Sequence, residues 1–159
     1  MRACPAPIFV CSLASLSGCG GGGSGANPPL APNSVPLIVD LGPIVGGVPV
    51  GALNQAFVTV TVYSPDSTTA CQTIDHIWVD TGSTGLRLVV STLGNLSLPA
   101  VTDTGAANGN PLAECNQFVS SYTWGAIRAA DVGIGGELAR AIPIQVIGDA
   151  AFPSVPPSC

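Results

Sequence analysis

The chain has 159 residues and a formal charge of −5, with 47% hydrophobic and only 8% charged residues and no lysine. That length holds one domain, and the acidic balance excludes a nucleic-acid partner, which needs a basic face to displace counterions. Apolar content this high excludes a disordered chain, and Gly 20 with Pro 15 favours turn-rich β structure over a helical bundle.

At the N-terminus, Met1-Arg2 gives a minimal positive start and Ile8-Phe9-Val10-Cys11-Ser12-Leu13-Ala14 a short apolar core. No apolar run reaches the roughly 18 residues of a membrane-spanning helix, so residues 1–18 read as an export signal. Leu16-Ser17-Gly18-Cys19 resembles the bacterial lipobox, in which small residues fit the signal peptidase and the cysteine thiol is acylated before cleavage. A plain signal ending in small residues is the alternative. The resemblance implies a lipid membrane as partner through acylated Cys19, each buried methylene adding roughly 0.8 kcal/mol. Gly20 rather than Asp after the cysteine favours the periplasmic side of the outer membrane in a Gram-negative host.

Residues 19–36 carry that cysteine and then a Gly/Ser/Asn/Pro stretch without periodicity, a flexible spacer. Its tetraglycine is no phosphate loop, since no Gly-Lys-Ser/Thr follows, and no cofactor is expected. The β domain is expected over 37–159, with folded structure starting near Val35.

Leu37-Ile38-Val39-Asp40-Leu41 reads as a short strand stopped by Gly42-Pro43. Phe57-Val58-Thr59-Val60-Thr61-Val62-Tyr63 alternates apolar and hydroxyl residues, the period of a half-buried strand. A second strand over 73–80 completes a hairpin with a long connection, and Leu86-Arg87-Leu88-Val89-Val90 is a third. Residues 94–111 read as loop. Strands are then expected over 117–122, 126–134 and 142–147, with Gly135-Gly136 turning between the last two. No segment carries a helical period, so the fold class is all-β.

The chemistry concentrates in Ile77-Trp78-Val79-Asp80-Thr81-Gly82-Ser83, followed by Thr84-Gly85-Leu86-Arg87-Leu88-Val89. This run resembles the active-site strand of pepsin-like and retroviral aspartic peptidases. The resemblance implies a single lobe of a pepsin-like acid-protease β-barrel, peptide substrates and a catalytic role for Asp80. Thr81 would then bond across a lobe interface, Gly82 would permit a sharp turn and Ser83 would orient the Asp80 carboxylate. Tyr122-Thr123-Trp124-Gly125 occupies the place of that family's flap, and Ala130-Asp131-Val132-Gly133-Ile134-Gly135-Gly136 is similar to the strand and turn after it. The pattern also resembles bacterial lipoproteins that carry Asp-Thr-Gly-Ser without an established activity.

Hydrolysis by such a site needs two carboxyls sharing one proton. Asp103-Thr104-Gly105-Ala106 matches the motif literally but lies in a turn-rich stretch and reads as a decoy. The second carboxyl is therefore expected from a missing second lobe, the chain being truncated after Pro156-Pro157-Ser158-Cys159, or from a homodimer partner. Ile144-Gln145-Val146-Ile147-Gly148-Asp149 resembles the apolar-apolar-Gly element that buttresses the active-site loop, which would serve the homodimer route, but it fits the strand after the flap equally well, and the buttress would then be missing. A non-catalytic binding or structural lipoprotein is the alternative function.

His76 is the sole histidine; on an ideal strand it would share a face with Trp78 and Asp80, but no Gly-x-Ser-x-Gly elbow accompanies it. A zinc site would need Cys71, Cys115 or Cys159 to converge on His76 without any Cys-x-x-Cys spacing, so no metal is expected. A Cys71–Cys115 disulfide is expected, leaving Cys159 to pair beyond the chain.

Overall fold

The computed structural model describes residues 33–105, 107 and 109–159. Eight strands form in chain order: β1 (Ile44–Val45), β2 (Val48–Pro49), β3 (Phe57–Tyr63), β4 (Cys71–Trp78), β5 (Arg87–Val89), β6 (Ala113–Gln117), β7 (Tyr122–Ile134) and β8 (Glu137–Ile147). A 3-10 turn over Val90–Leu93 is the one helical element among the described residues. The fold is all-β, as its composition predicts.

The alternation in β3 buries Val58, Val60 and Val62 on one face while Thr59, Thr61 and Tyr63 stay half-buried on the other. β4 returns antiparallel beside β3, and β7 pairs antiparallel with both β3 and β8. Gly125 and Ala126 pair with β6 on one side and β8 on the other, so β6 and β3 occupy successive stretches of the same edge of β7. β5 then joins β8 in the sheet's one parallel pairing, giving the order β4-β3-β7-β8-β5 with β6 on β7.

Sequence neighbours β4 and β5 therefore lie at opposite ends of that strand path, and residues 79–86 must cross between them. The sheet curls to allow it. Ile74 of β4 and Leu88 of β5 enter one core with Val60, Val62, Ile144 and Val146, and the 3-10 turn after β5 touches β4. No hydrogen-bonded pairing joins β4 to β5 among the described residues, so this is a curled open sheet and not a closed barrel.

Several boundaries differ from the sequence reading, each for a local reason. Residues 37–41 form no strand, only the isolated bridge Ile38–Phe57, because Asp40 accepts the Gly42 N–H at 2.8 Å and turns the chain, and Leu41 O then accepts from the Gly51 and Ala52 N–H groups at 3.0 Å. β1 and β2 were not expected; Gly46 and Gly47, at φ 60° and 84°, supply the doubly left-handed turn that a two-residue hairpin needs. Positive φ at both Gly135 and Gly136 does the same for the expected β7–β8 turn.

Residues 117–122, expected as strand, hold the β6–β7 turn, closed by Phe118 N–H on Ser121 O at 2.8 Å. β4 ends at Trp78, two residues short of the expected end at Asp80. A bulge displaces β4 where Asp75 and His76 both face Thr59, with His76 at φ 51°. The strict two-residue period fails there, so the face expected to be shared by His76, Trp78 and Asp80 is not that of an ideal strand.

Candidate active-site turn

Just beyond β4, Val79 N–H still donates to Ala56 O at 2.8 Å, and Asp80 then leaves the sheet half-buried. Its Oδ1 accepts the Gly82 N–H at 2.8 Å, closing a side-chain turn over Asp80-Thr81-Gly82. A Cβ at position 82 would stand 3.3 Å from Asp80 Oδ1, a tight contact that glycine avoids, although the equivalent turn at Asp149 takes Ala151. The left-handed residue in the crossing is Gly85, at φ 82°.

A hydrogen bond from the Ser83 hydroxyl, then the Gly82 N–H, hold the Asp80 carboxyl below its ordinary pKa, with a smaller contribution from the Arg87 charge. Thr81 is exposed.

The same turn recurs in the chain, which shows what is special about Asp80. Asp40 accepts from Gly42, Asp103 from Gly105 and Asp149 from Ala151, all at 2.8–2.9 Å. The Asp-Thr-Gly turn alone is therefore a folding device. Asp80 adds a serine at the next position, where the Asp103 motif has alanine, and an arginine further along. Asp103 itself is exposed in a loop closed by its own N–H on Asn110 O and by the Thr102–Pro111 bridge.

Arg87 opens β5 opposite Gln145 of β8. Gln145 is buried and spoken for on both ends. Its Nε2 donates to Glu114 O at 2.8 Å, and its Oε1 accepts the Thr123 hydroxyl at 2.7 Å. That fixes the end of β8 against β6 and β7, and the Gln145 N–H bonds Leu86 O at 3.0 Å. Residues 144–147 of the run 144–149 thus lie on the strand that follows the β7 turn, with Gly148 and Asp149 just beyond its end.

The Arg87 guanidinium lies 5.6 Å from the centre of the Phe118 ring, in the β6–β7 turn. Beside it opens a cleft of about 400 Å³ whose walls include Thr84, Leu86, Arg87, Glu114, Ile127 and Gln145. The sequence leaves Arg87 either facing the cleft or capping the sheet surface, and in the structure it lines the cleft; Phe118 and Gln145 were not singled out as site residues.

Tyr122 and Trp124, expected as flap residues, stand at the start of β7 and line a different hollow of about 480 Å³ with Phe152 and Pro153. The Trp124 indole donates to Phe152 O at 3.2 Å, and its ring meets the Phe152 ring edge-on at 6.2 Å. The aromatic that meets Arg87 is Phe118.

The cysteine expectation is corrected: Cys115 bonds Cys159, with Cα atoms 5.7 Å apart, and not Cys71. Cys115 lies on β6, and the final segment runs back beside that strand, where Gln117 Nε2 donates to Cys159 O at 3.2 Å. Cys159 therefore needs no partner beyond the chain.

His76 lies between two carboxylates, Nε2 at 3.0 Å from Asp40 and Nδ1 at 3.3 Å from Asp75. No convergence of three or more metal-ligating side chains occurs among the described residues. The signal, the lipobox and Cys19 lie outside the described residues.

Fold and site define an all-β protein that carries an Asp-Thr-Gly-Ser turn on the crossing between two remote strands of one curled sheet. A family model described as a protein of unknown function (DUF3443) matches residues 29–159, and the chain belongs to that family. No curated protein matches it, and no solved structure does.

Proposed function

We propose that this chain is an aspartic-peptidase-like lobe that presents Asp80 as one half of a peptide-hydrolysing carboxyl pair. The observation that carries the reading is the Asp80 turn itself, a carboxylate just past a strand end that accepts the Gly82 N–H at 2.8 Å, its pKa lowered by the Ser83 hydroxyl and by that N–H. The parallel pairing of β5 with the end of β8 supports it, because the strand leaving the turn is backed by the apolar-apolar-Gly run.

In such chemistry the ionised carboxylate takes a proton from water while a protonated partner polarises the peptide carbonyl. The hydrogen bonds to Asp80 favour its ionised form, which suits it to the base. The acid comes from a second lobe or from a second copy across a twofold axis. Acylation at Cys19 would hold the site at the envelope membrane.

The test is cleavage of a denatured protein at acid pH by the protein expressed in its own envelope from its own reading frame. Cleavage should be pepstatin-sensitive and fall at least roughly 100-fold in Asp80→Asn, the scale of a lost acid–base group. Unchanged cleavage in that variant would overturn the assignment.

One observation favours a second reading, a non-catalytic binding lipoprotein. Leu37, Val39, Leu41, Ile44, Val45, Val48, Val50 and Leu53 are 53–75% exposed, a concentration of apolar surface suited to association. Under that reading the protein associates but binds no pepstatin.

A further inference from the structure

Arg87 is set apart by having no ion-pair partner among the described residues. Among the described residues, Arg128 is neutralised by Asp149 at 2.6 Å and Arg140 by Asp131 at 3.3 Å, while Arg87 is in no ion pair. The sequence has no lysine to share the role. Arg87 Nε is also buried without a hydrogen-bond partner, a group whose desolvation is left uncompensated. Burying a guanidinium N–H with nothing to accept it is costly, and planar guanidinium groups match carboxylates two bonds at a time. The cleft beside it has apolar wall from Leu86, Leu112, Ile127, Pro143 and Ile144.

Two carboxylates bear on this place. Glu114 lines the cleft, and Asp80 is close enough for the Arg87 charge to act on it. Neither forms an ion pair with the guanidinium.

We propose that the cleft beside the Asp80 turn binds a peptide carboxylate, with Arg87 receiving the charge and the apolar wall receiving the neighbouring side chain. This rests on reading the Asp80 face as a peptide-binding face, and it names the substrate class: peptides carrying an acidic group next to an apolar residue. The carboxylate comes from an Asp or Glu side chain or from a peptide's C-terminal end; both present the same planar oxygens.

Isothermal titration of the 159-residue chain with three synthetic pentapeptides tests this. The first is acetyl-Ala-Leu-Glu-Leu-Ala-amide, the second its Gln counterpart, and the third the Gln peptide with a free C-terminus. Either acidic peptide should bind at least about tenfold more tightly than the neutral one, the size of one charge-assisted pair. Whichever acidic peptide binds more tightly identifies the source of the carboxylate. Arg87→Gln should reduce that ratio to within about twofold, and Arg87→Lys should retain part of it.

Asp80→Asn should leave the ratio at least as large, because it removes a neighbouring negative charge. Failure of the peptidase reading would appear in cleavage, whereas failure here appears in binding. Equal affinity of the wild-type chain for acidic and neutral peptides overturns the proposal whether or not any variant folds. So does absence of saturable binding to all three, or full discrimination in Arg87→Gln.

Discussion

At the level of single residues, the carboxylate turns do different work according to their next neighbour. Asp80 is held ionised by a serine and a glycine N–H, whereas Asp40 is held ionised first by His76 and then by the Gly42 N–H. His76 is raised in turn, chiefly by its bond to Asp40 and less by Asp75. Its ring also stands 5.4 Å from Phe57, so the ion pair fastens the chain before β1 to the bulge in β4.

The pH dependence follows from those directions. A raised histidine stabilises the fold fully below its unfolded value of about 6.5 and loses that contribution as pH rises through its folded value. A lowered carboxyl contributes above about 3.9 and loses its part as pH falls through its folded value. Thermal midpoints of wild type and His76→Gln should therefore differ most between about pH 4 and 6.5 and converge at alkaline pH. A difference that grows toward alkaline pH would contradict the pairing.

At the level of elements, β7 is the hinge of the architecture, and Gly125 is where it is tightest. A Cβ there would stand 2.1 Å from Val146 O and 2.9 Å from Ile147 Cα, both backbone atoms that cannot swing aside. Gly125→Ala should cost about 3 kcal/mol or more, because β8 must move and Gln145 moves with it. Urea unfolding would show this, and a midpoint within experimental error of wild type would refute it. The Cys115–Cys159 bond closes a loop over 44 positions and ties the final segment to β6.

Strands whose side chains alternate were readable from sequence. β3 matches its expected span because Val and Thr alternate on a pleat buried on one face. The first half of β8, Glu137 to Ala141, is exposed and lacks that pattern. It is held instead by a clip in which buried Asp131 accepts the Ala141 N–H at 2.7 Å, with Ala141 at φ 48°. β6 is equally plain in composition and exists because β7 pairs with it. In the site, Asp80 and its turn were legible as a local motif. Arg87, Gln145 and Phe118 come together through a parallel pairing and a hairpin turn, contacts between distant parts of the chain that no local pattern encodes.

On the scale of the whole molecule, the strand order makes the Asp80 crossing a structural necessity. β4 and β5 lie at opposite ends of the strand path, so the segment joining them must pass over one end of the curled sheet. That places Asp80 where another surface can meet it, with Trp78 at 56% and Val79 at 40% exposure beside it. On the proposed reading the chain offers one carboxyl, a cleft that holds both Arg87 and Glu114, and an apolar margin, and a shared-proton site takes its second carboxyl from outside. The most direct test is pepstatin-sensitive turnover at acid pH by the purified 159-residue chain, diluted until it is monomeric. No turnover above buffer is predicted, whereas sustained turnover by the monomer that disappears in Asp80→Asn would show that this lobe needs no partner and would contradict the account.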